Sequence, residues 1–243
     1  MSIIAILLLI IVVGIAYFYN VPKRISSQDI SYIEKMISEA GYNPDDFRNP
    51  QNFEDEINCI LAVQAAVFKA SPDIELIPKG TPREPRDLYE ARYGYCSDRA
   101  RTMDKAYRHF GLPCLYVSLF RNHPDYSFLQ ILLMKGDEKY KNHSHALLEV
   151  KTSKGWIAVD TRSRWISLTP DYRPLSLQAM QKFKAVSDEK WSDKCTEAPY
   201  KSFNFPFYIA YGLYSRHGLF YPPYIKGLPN INWIEFLANI KKF

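Results

Sequence analysis

Three short stretches place a thiol, an imidazole and a carboxylate in an order suited to acyl transfer. They are Arg92-Tyr-Gly-Tyr-Cys96-Ser-Asp98, His143-Ser-His145-Ala-Leu-Leu-Glu-Val150 and Gly155-Trp156-Ile-Ala-Val-Asp160. A cysteine attacks as thiolate, and its pKa of ~8.5 falls at a helix N-terminus or beside a cation. Cys96 precedes a helix-like run, Ser97 to Phe110, with Arg92, Arg99 and Arg101 close in sequence. His145 is then expected to take the thiol proton and return it to the leaving group. Asp160 is expected to accept a hydrogen bond from the other ring nitrogen, fixing tautomer and orientation. Cys96, His145 and Asp160 are the expected catalytic residues.

Particular elements must hold these groups. The Cys96 helix stops credibly, with His109 in its last turn, Gly111 placed as C′ and Pro113 following. His145 and Asp160 sit on two strand-like runs separated by the polar turn Lys151-Thr-Ser-Lys-Gly155. They stand 15 residues apart, so their side chains meet only if the strands pair near that register. Upstream, Ser27–Ala40 reads as an amphipathic helix, and Asn52 caps a second helix running to about Ala70. Residues 71–86 read as a loop, and strands are predicted near Cys114–Phe120, Phe128–Met134, Ser144–Val150 and Trp156–Asp160. Helices first and an antiparallel sheet after them make the fold class α+β.

The chain resembles the transglutaminase-like superfamily, whose fold is papain-like. Arg92, Gly94, Cys96 and Asp98 match the family's Arg-x-Gly-x-Cys-x-Asp helix start, and Gly111-Leu-Pro113 matches its Gly-Ile-Pro turn. His145-Ala146 with Glu149-Val150 matches its histidine strand, and Trp156 with Asp160 its last strand, over roughly residues 85–166. The resemblance implies a papain-like core acting through an acyl-enzyme on Cys96, with hydrolysis of an amide or peptide bond, or transamidation, as the outcome. It implies a protein, peptide or peptidoglycan-like substrate. Leu147 stands where the family usually has tryptophan, and Cys114-Leu115 replace its Ala-Arg. No tryptophan precedes Trp156, so the indole that stabilises the oxyanion in animal transglutaminases has no counterpart. The Cys96 N–H supplies one oxyanion donor, with Tyr89, Tyr95 and Gln64 as unranked choices for the second.

Other readings weigh against these. His143 shares a strand face with His145, so a His-x-His metal pair competes with the catalytic reading. A zinc site wants three or four ligands and no CxxC or HExxH is present, so no metal and no cofactor are expected. Cys59 and Cys114 read as small buried hydrophobes. The four cysteines, at 59, 96, 114 and 195, require no disulfide framework. A non-catalytic interaction module that keeps the fold, serving cell-surface or polysaccharide assembly, is the alternative to an enzyme.

Ile3 to Tyr19 is an uncharged apolar run of 17 residues, at the short end of what crosses a bilayer. The expectation is a single transmembrane anchor over residues 1–22, with Lys23 and Arg24 at the headgroups and the lipid bilayer as partner. Those two charges favour a cytoplasmic domain, whereas bacterial members of the resembled family often face outward, so the membrane side stays open. Behind the anchor, residues 23–84 form a helical part, 85–175 the catalytic core and 176–243 an aromatic-rich extension. The net charge of +5, from 31 basic and 26 acidic residues, is dispersed and gives none of the basic stripe that nucleic-acid binding needs. From Tyr200 to Phe236 twelve aromatics alternate with prolines. Two uses compete for them: packing across the core, or a stacking or membrane-interface surface.

Overall fold

Capping explains the helical first half of the chain, seen in a computed structural model that describes residues 3–122, 144–183 and 185–240. Helix α1 covers Ile3–Phe18 and α2 covers Ser27–Glu39, the latter opened by a capping box between Ser26 and Asp29. Helix α3, Phe53–Ala70, is capped by Asn52, with Glu54, Asp55 and Glu56 in its first turn and Lys69 in its last, as the helix dipole favours. The short α4, Pro85–Ala91, ends at Arg92 in the left-handed region. Helix α5, Cys96–His109, begins at the thiol itself. It ends at Gly111, φ +89°, where the Leu112 N–H returns to the Tyr107 carbonyl at 2.8 Å. Only glycine adopts that conformation without penalty.

The strands follow the predicted hairpin closely. They are β1 (Cys114–Arg121), β2 (Ser144–Thr152) and β3 (Gly155–Val159). After the short helix α6 (Leu177–Met180) come β4 (Phe207–Tyr211), β5 (Leu213–Ser215), β6 (Asn230–Ile231) and helix α7 (Trp233–Ile240). Among the described residues β1 to β4 form an antiparallel sheet in the order β3-β2-β1-β4, and β5 pairs with β6. The fold is α+β with an antiparallel sheet. The aromatic extension therefore supplies a strand beside β1. The predicted strand near Phe128–Met134, like His143, lies outside the described residues.

Strand alternation splits the core in two. Ala146, Leu148 and Val150 of β2 face the helices, in a cluster with Ile57, Ile60, Val63, Met103 and Tyr107. Leu147, where the resembled family has tryptophan, faces the other way with Val117, Leu119, Trp165, Phe203 and Tyr211. Helix α5 packs on β2 and β1. The aromatic extension packs on both sides, Phe203 in the second cluster and Tyr214 and Tyr221 in the first.

The expected transmembrane helix needs correction. Helix α1 is 16 residues long, about 24 Å at 1.5 Å per residue, against a hydrocarbon core of ~30 Å. Among the described residues no helix is long and apolar enough to cross a membrane. Lys23 does not turn to headgroups either. Its Nζ pairs with Glu235 and, at 3.1 Å, with Asp104, and it donates to the Cys114 carbonyl at 3.0 Å. The chain joins the core at Val21, which is wholly buried and donates its N–H to Ile231 at 2.8 Å.

Candidate active site

Gly94 lets the chain turn tightly into the thiol helix. A Cβ there would lie 2.5 Å from Leu88 Cδ1 and 3.2 Å from Asp98 Cβ. Asp98 closes the turn by accepting the Tyr95 N–H at 2.9 Å, and its carboxylate is paired with the buried Arg83. Glycine and aspartate at these two places are thus structural, and their effect is to set Cys96 at the first position of α5. A backbone N–H there has no acceptor within its own helix, so it is free to face a developing oxyanion.

The register pairs Leu148 with Val159, so the chain leaves β3 at Asp160 beside the end of β2 that carries His145. His145 Nε2 lies 2.9 Å from Asp160 Oδ1. The same imidazole is hydrogen-bonded to the half-buried Cys96 thiol. The three expected residues are brought together, with Cys96 half-buried and His145 and Asp160 almost wholly buried.

Burial opposes the thiolate, yet the His145 hydrogen bond and charge, the Ala146 N–H and the Arg162 charge outweigh it, so the Cys96 pKa falls below its ordinary 9.0. Burial also opposes charge on His145. The Asp160 carboxylate and the Cys96 sulfur override it and push the imidazole up to about 10. Burial disfavours the Asp160 carboxylate as well, but His145 and the N–H groups of Arg162 and Tyr200 hold it below its ordinary value. The thiol and imidazole shifts both run in the direction that favours a thiolate–imidazolium pair. Burial pushes Cys59 up to about 12. Burial and the facing Asp104 raise Cys114 strongly, and burial raises Cys195.

Several groups at the site were not read from sequence. Asp160 accepts from the Arg162 N–H at 2.9 Å, the Ser163 hydroxyl at 3.0 Å and the Tyr200 N–H at 3.0 Å. The Tyr200 ring lies 4.9 Å from the His145 ring. Two arginine charges bear on the thiol, Arg99 of α5 and Arg162, the latter two residues past Asp160, a proximity its place after the strand would have signalled. Arg92 and Arg101 turn elsewhere, Arg92 to the Lys69 carbonyl and Arg101 to Glu84 and the Pro22 carbonyl.

The second oxyanion donor narrows in the same way. Gln64 Nε2 is used on the carbonyls of Asp160, Ser163 and Trp165, at 2.8, 3.2 and 3.0 Å. It tethers the loop that carries the carboxylate. Tyr89 donates its hydroxyl to Glu39 at 2.6 Å. Tyr95, next to Cys96 in the chain, is 39% exposed and its ring meets the Arg162 guanidinium at 5.7 Å. The His-x-His alternative rests on His143, outside the described residues. A cleft of about 490 Å³ lined by Asn52, Phe53, Ile57, Lys154 and Tyr172 contains none of these groups.

A model of the transglutaminase-like superfamily matches residues 51–161, a span that runs from the Asn52 cap through Cys96 and His145 to Asp160. No curated protein matches the chain. A solved structure described as "Crystal structure of a TGase" is similar at 15% identity with a TM-score of 0.35, over 57% of this chain and 34% of that one. The chain spans about a third of that protein, and a likeness at this score supports no inference about activity. Residues 51–161 of this chain form a transglutaminase-like superfamily domain.

Proposed function

We propose that the protein is a thiol acyl-transfer enzyme that opens amide or peptide bonds through an acyl-enzyme on Cys96. The observation that carries this reading is geometric: Cys96 opens α5, and His145 Nε2 lies 2.9 Å from Asp160 Oδ1, with the thiol pKa lowered and the imidazole pKa raised in accord. The thiolate attacks the carbonyl carbon, and the electron pair moves onto an oxygen facing the Cys96 N–H. Collapse breaks the C–N bond, and His145 gives its proton to the departing amine. Water or an amine then attacks the thioester, His145 takes the proton, and the S–C bond breaks to restore the thiolate. Water yields hydrolysis and an amine yields transamidation. The substrate is a protein, peptide or peptidoglycan-like amide.

Iodoacetamide near neutral pH tests this. Native Cys96 should be labelled well ahead of Cys59, Cys114 and Cys195. A Cys96 no faster than Cys195 would overturn the proposal in favour of a non-catalytic module.

We also propose that α1 attaches the protein to a lipid bilayer. Leu7, Leu8, Ile10, Ile11, Val12 and Val13 are exposed over the length of the helix, an apolar surface left uncovered among the described residues. The Trp233 indole donates to the Ala16 carbonyl at 2.7 Å, and the exposed Ile234 and Leu237 of α7 lie beyond it. Full-length protein should sediment with phosphatidylcholine vesicles while a chain beginning at Asn20 does not, and equal sedimentation of the two would refute attachment through α1.

A further inference from the structure

Arg162 is placed unlike most of the arginines around it. Its guanidinium lies 5.7 Å from the Tyr95 ring and 5.2 Å from the Tyr200 ring, with Nη2 3.4 Å from the Tyr200 hydroxyl. Tyr95 immediately precedes the thiol and Tyr200 lies over the imidazole, so the guanidinium is held between two rings at the edge of the site. Two aromatic faces fix its position by cation–π attraction without neutralising it. Arg83, Arg101 and Arg108 each face a carboxylate. Among the described residues Arg162 faces none.

Arg99 shares this property. It is buried and donates to the Ser71 hydroxyl, the Ser71 carbonyl and the Thr161 carbonyl, with no carboxylate among them. Burial and the charge of Arg162 together lower its pKa to about 10. The neighbourhood thus holds two anions, the Cys96 thiolate and Asp160, against three cations, His145, Arg99 and Arg162. One positive charge is left over, and its exposed end is the guanidinium of Arg162, itself half-buried. An uncompensated cation fixed beside a nucleophile attracts an anionic reactant more strongly than a neutral one.

We propose that Arg162 is a carboxylate subsite, so that the preferred acyl donor is a peptide carrying a free carboxylate within a few bonds of the carbonyl that Cys96 attacks. A guanidinium suits this because its planar fork matches both carboxylate oxygens. The clamp of Tyr95 and Tyr200 sets its direction in advance. This inference rests on the acyl-transfer reading and adds a substrate class to it.

The test compares iodoacetate with iodoacetamide on Cys96, in the full-length protein and in Arg162→Gln. In both reagents sulfur displaces iodide at carbon, so the ratio of the two rates cancels the thiolate fraction and reports only the carboxylate. The ratio should fall roughly tenfold in Arg162→Gln, as expected for loss of one nearby charge, and Arg162→Lys should keep most of it. N-acetylglycine and N-acetylglutamic acid α-amide then separate the two sources of a carboxylate. The one that slows iodoacetamide labelling in the wild type, and not in Arg162→Gln, names the source as main-chain or side-chain. Rapid labelling with an unchanged ratio would overturn the subsite and leave the acyl-transfer reading standing. No labelling of Cys96 by either reagent would sink that reading, and the subsite with it.

Discussion

The backbone N–H of Tyr200 donates to Asp160 Oδ2 at 3.0 Å, so the C-terminal extension holds the carboxylate that holds the imidazole. Tyr200 has φ −60°, close to the value proline fixes. Tyr200→Pro fits this φ but replaces the donor with a ring carbon that pushes on Asp160, while Tyr200→Ala removes only the ring. A hydrogen bond to a charged group is worth ~1.5–3 kcal/mol. Tyr200→Pro should lower the Cys96 labelling rate at neutral pH at least tenfold below Tyr200→Ala, and equal rates would deny the extension a part in positioning Asp160.

Asp160→Asn should cost more than orientation. The carboxylate accepts from His145, Arg162, Ser163 and Tyr200 on its two oxygens. An amide presents one acceptor and one donor, so one side of this set must face an N–H. Turnover should fall by up to ~10⁴-fold, as in the serine analogue. Thermal melting should fall as well, which separates this variant from Cys96→Ala.

The pH dependence of stability should reveal the ion pair. The folded His145 pKa, about 10, lies above its ordinary 6.5, so its contribution is full below 6.5 and lost as pH rises through about 10. The folded Cys96 pKa lies below 9.0, so its contribution is present above 9.0 and lost as pH falls through the folded value. Between the lowered thiol pKa and 9.0, and above 6.5, the folded and unfolded pair each hold one proton, and no slope arises. Cys96→Ser removes one partner. Its urea midpoint should then decline from pH 7 to 9 relative to wild type, because the folded imidazolium keeps a proton that the unfolded ring has lost.

Gln64→Met keeps the volume and deletes the tether on three carbonyls. Unmet buried acceptors cost ~1–3 kcal/mol, and melting should drop by roughly 3–10 °C. Loss of turnover with unchanged melting would instead make Gln64 an oxyanion donor.

A chain beginning at Asn20 should fold, and one beginning at Ser27 should be markedly weaker. The second lacks the buried Val21 and the Lys23 partner of Asp104 and Glu235. Removing one member of a buried ion pair costs ~3–5 kcal/mol. Equal denaturation midpoints for the two chains would show that residues 20–26 contribute nothing.

What was legible in the sequence was local. The start of α5 at Cys96, its stop at Gly111 and the hairpin carrying His145 and Asp160 are written in capping residues and strand alternation within a few positions. What was not legible depends on pairing across long separations. Gln64 reaches carbonyls 96 to 101 residues away, and nothing near it announces that use. Arg92 and Arg101 show the converse. Both are near Cys96 in sequence, but a left-handed helix end and the turn of α5 aim them away. Lys23 looked like a headgroup contact by position, and the facing carboxylates of Asp104 and Glu235 claim it instead.

The sheet order β3-β2-β1-β4 has a consequence for biosynthesis. A chain emerging from the ribosome through Val159 already holds Cys96, His145 and three of the sheet's strands, yet it lacks the Tyr200 donor to Asp160 and the edge strand β4. Long-range pairings of this kind form late because loop closure must precede them. The Asp160 carboxylate therefore gains its Tyr200 donor only after the aromatic tail is released.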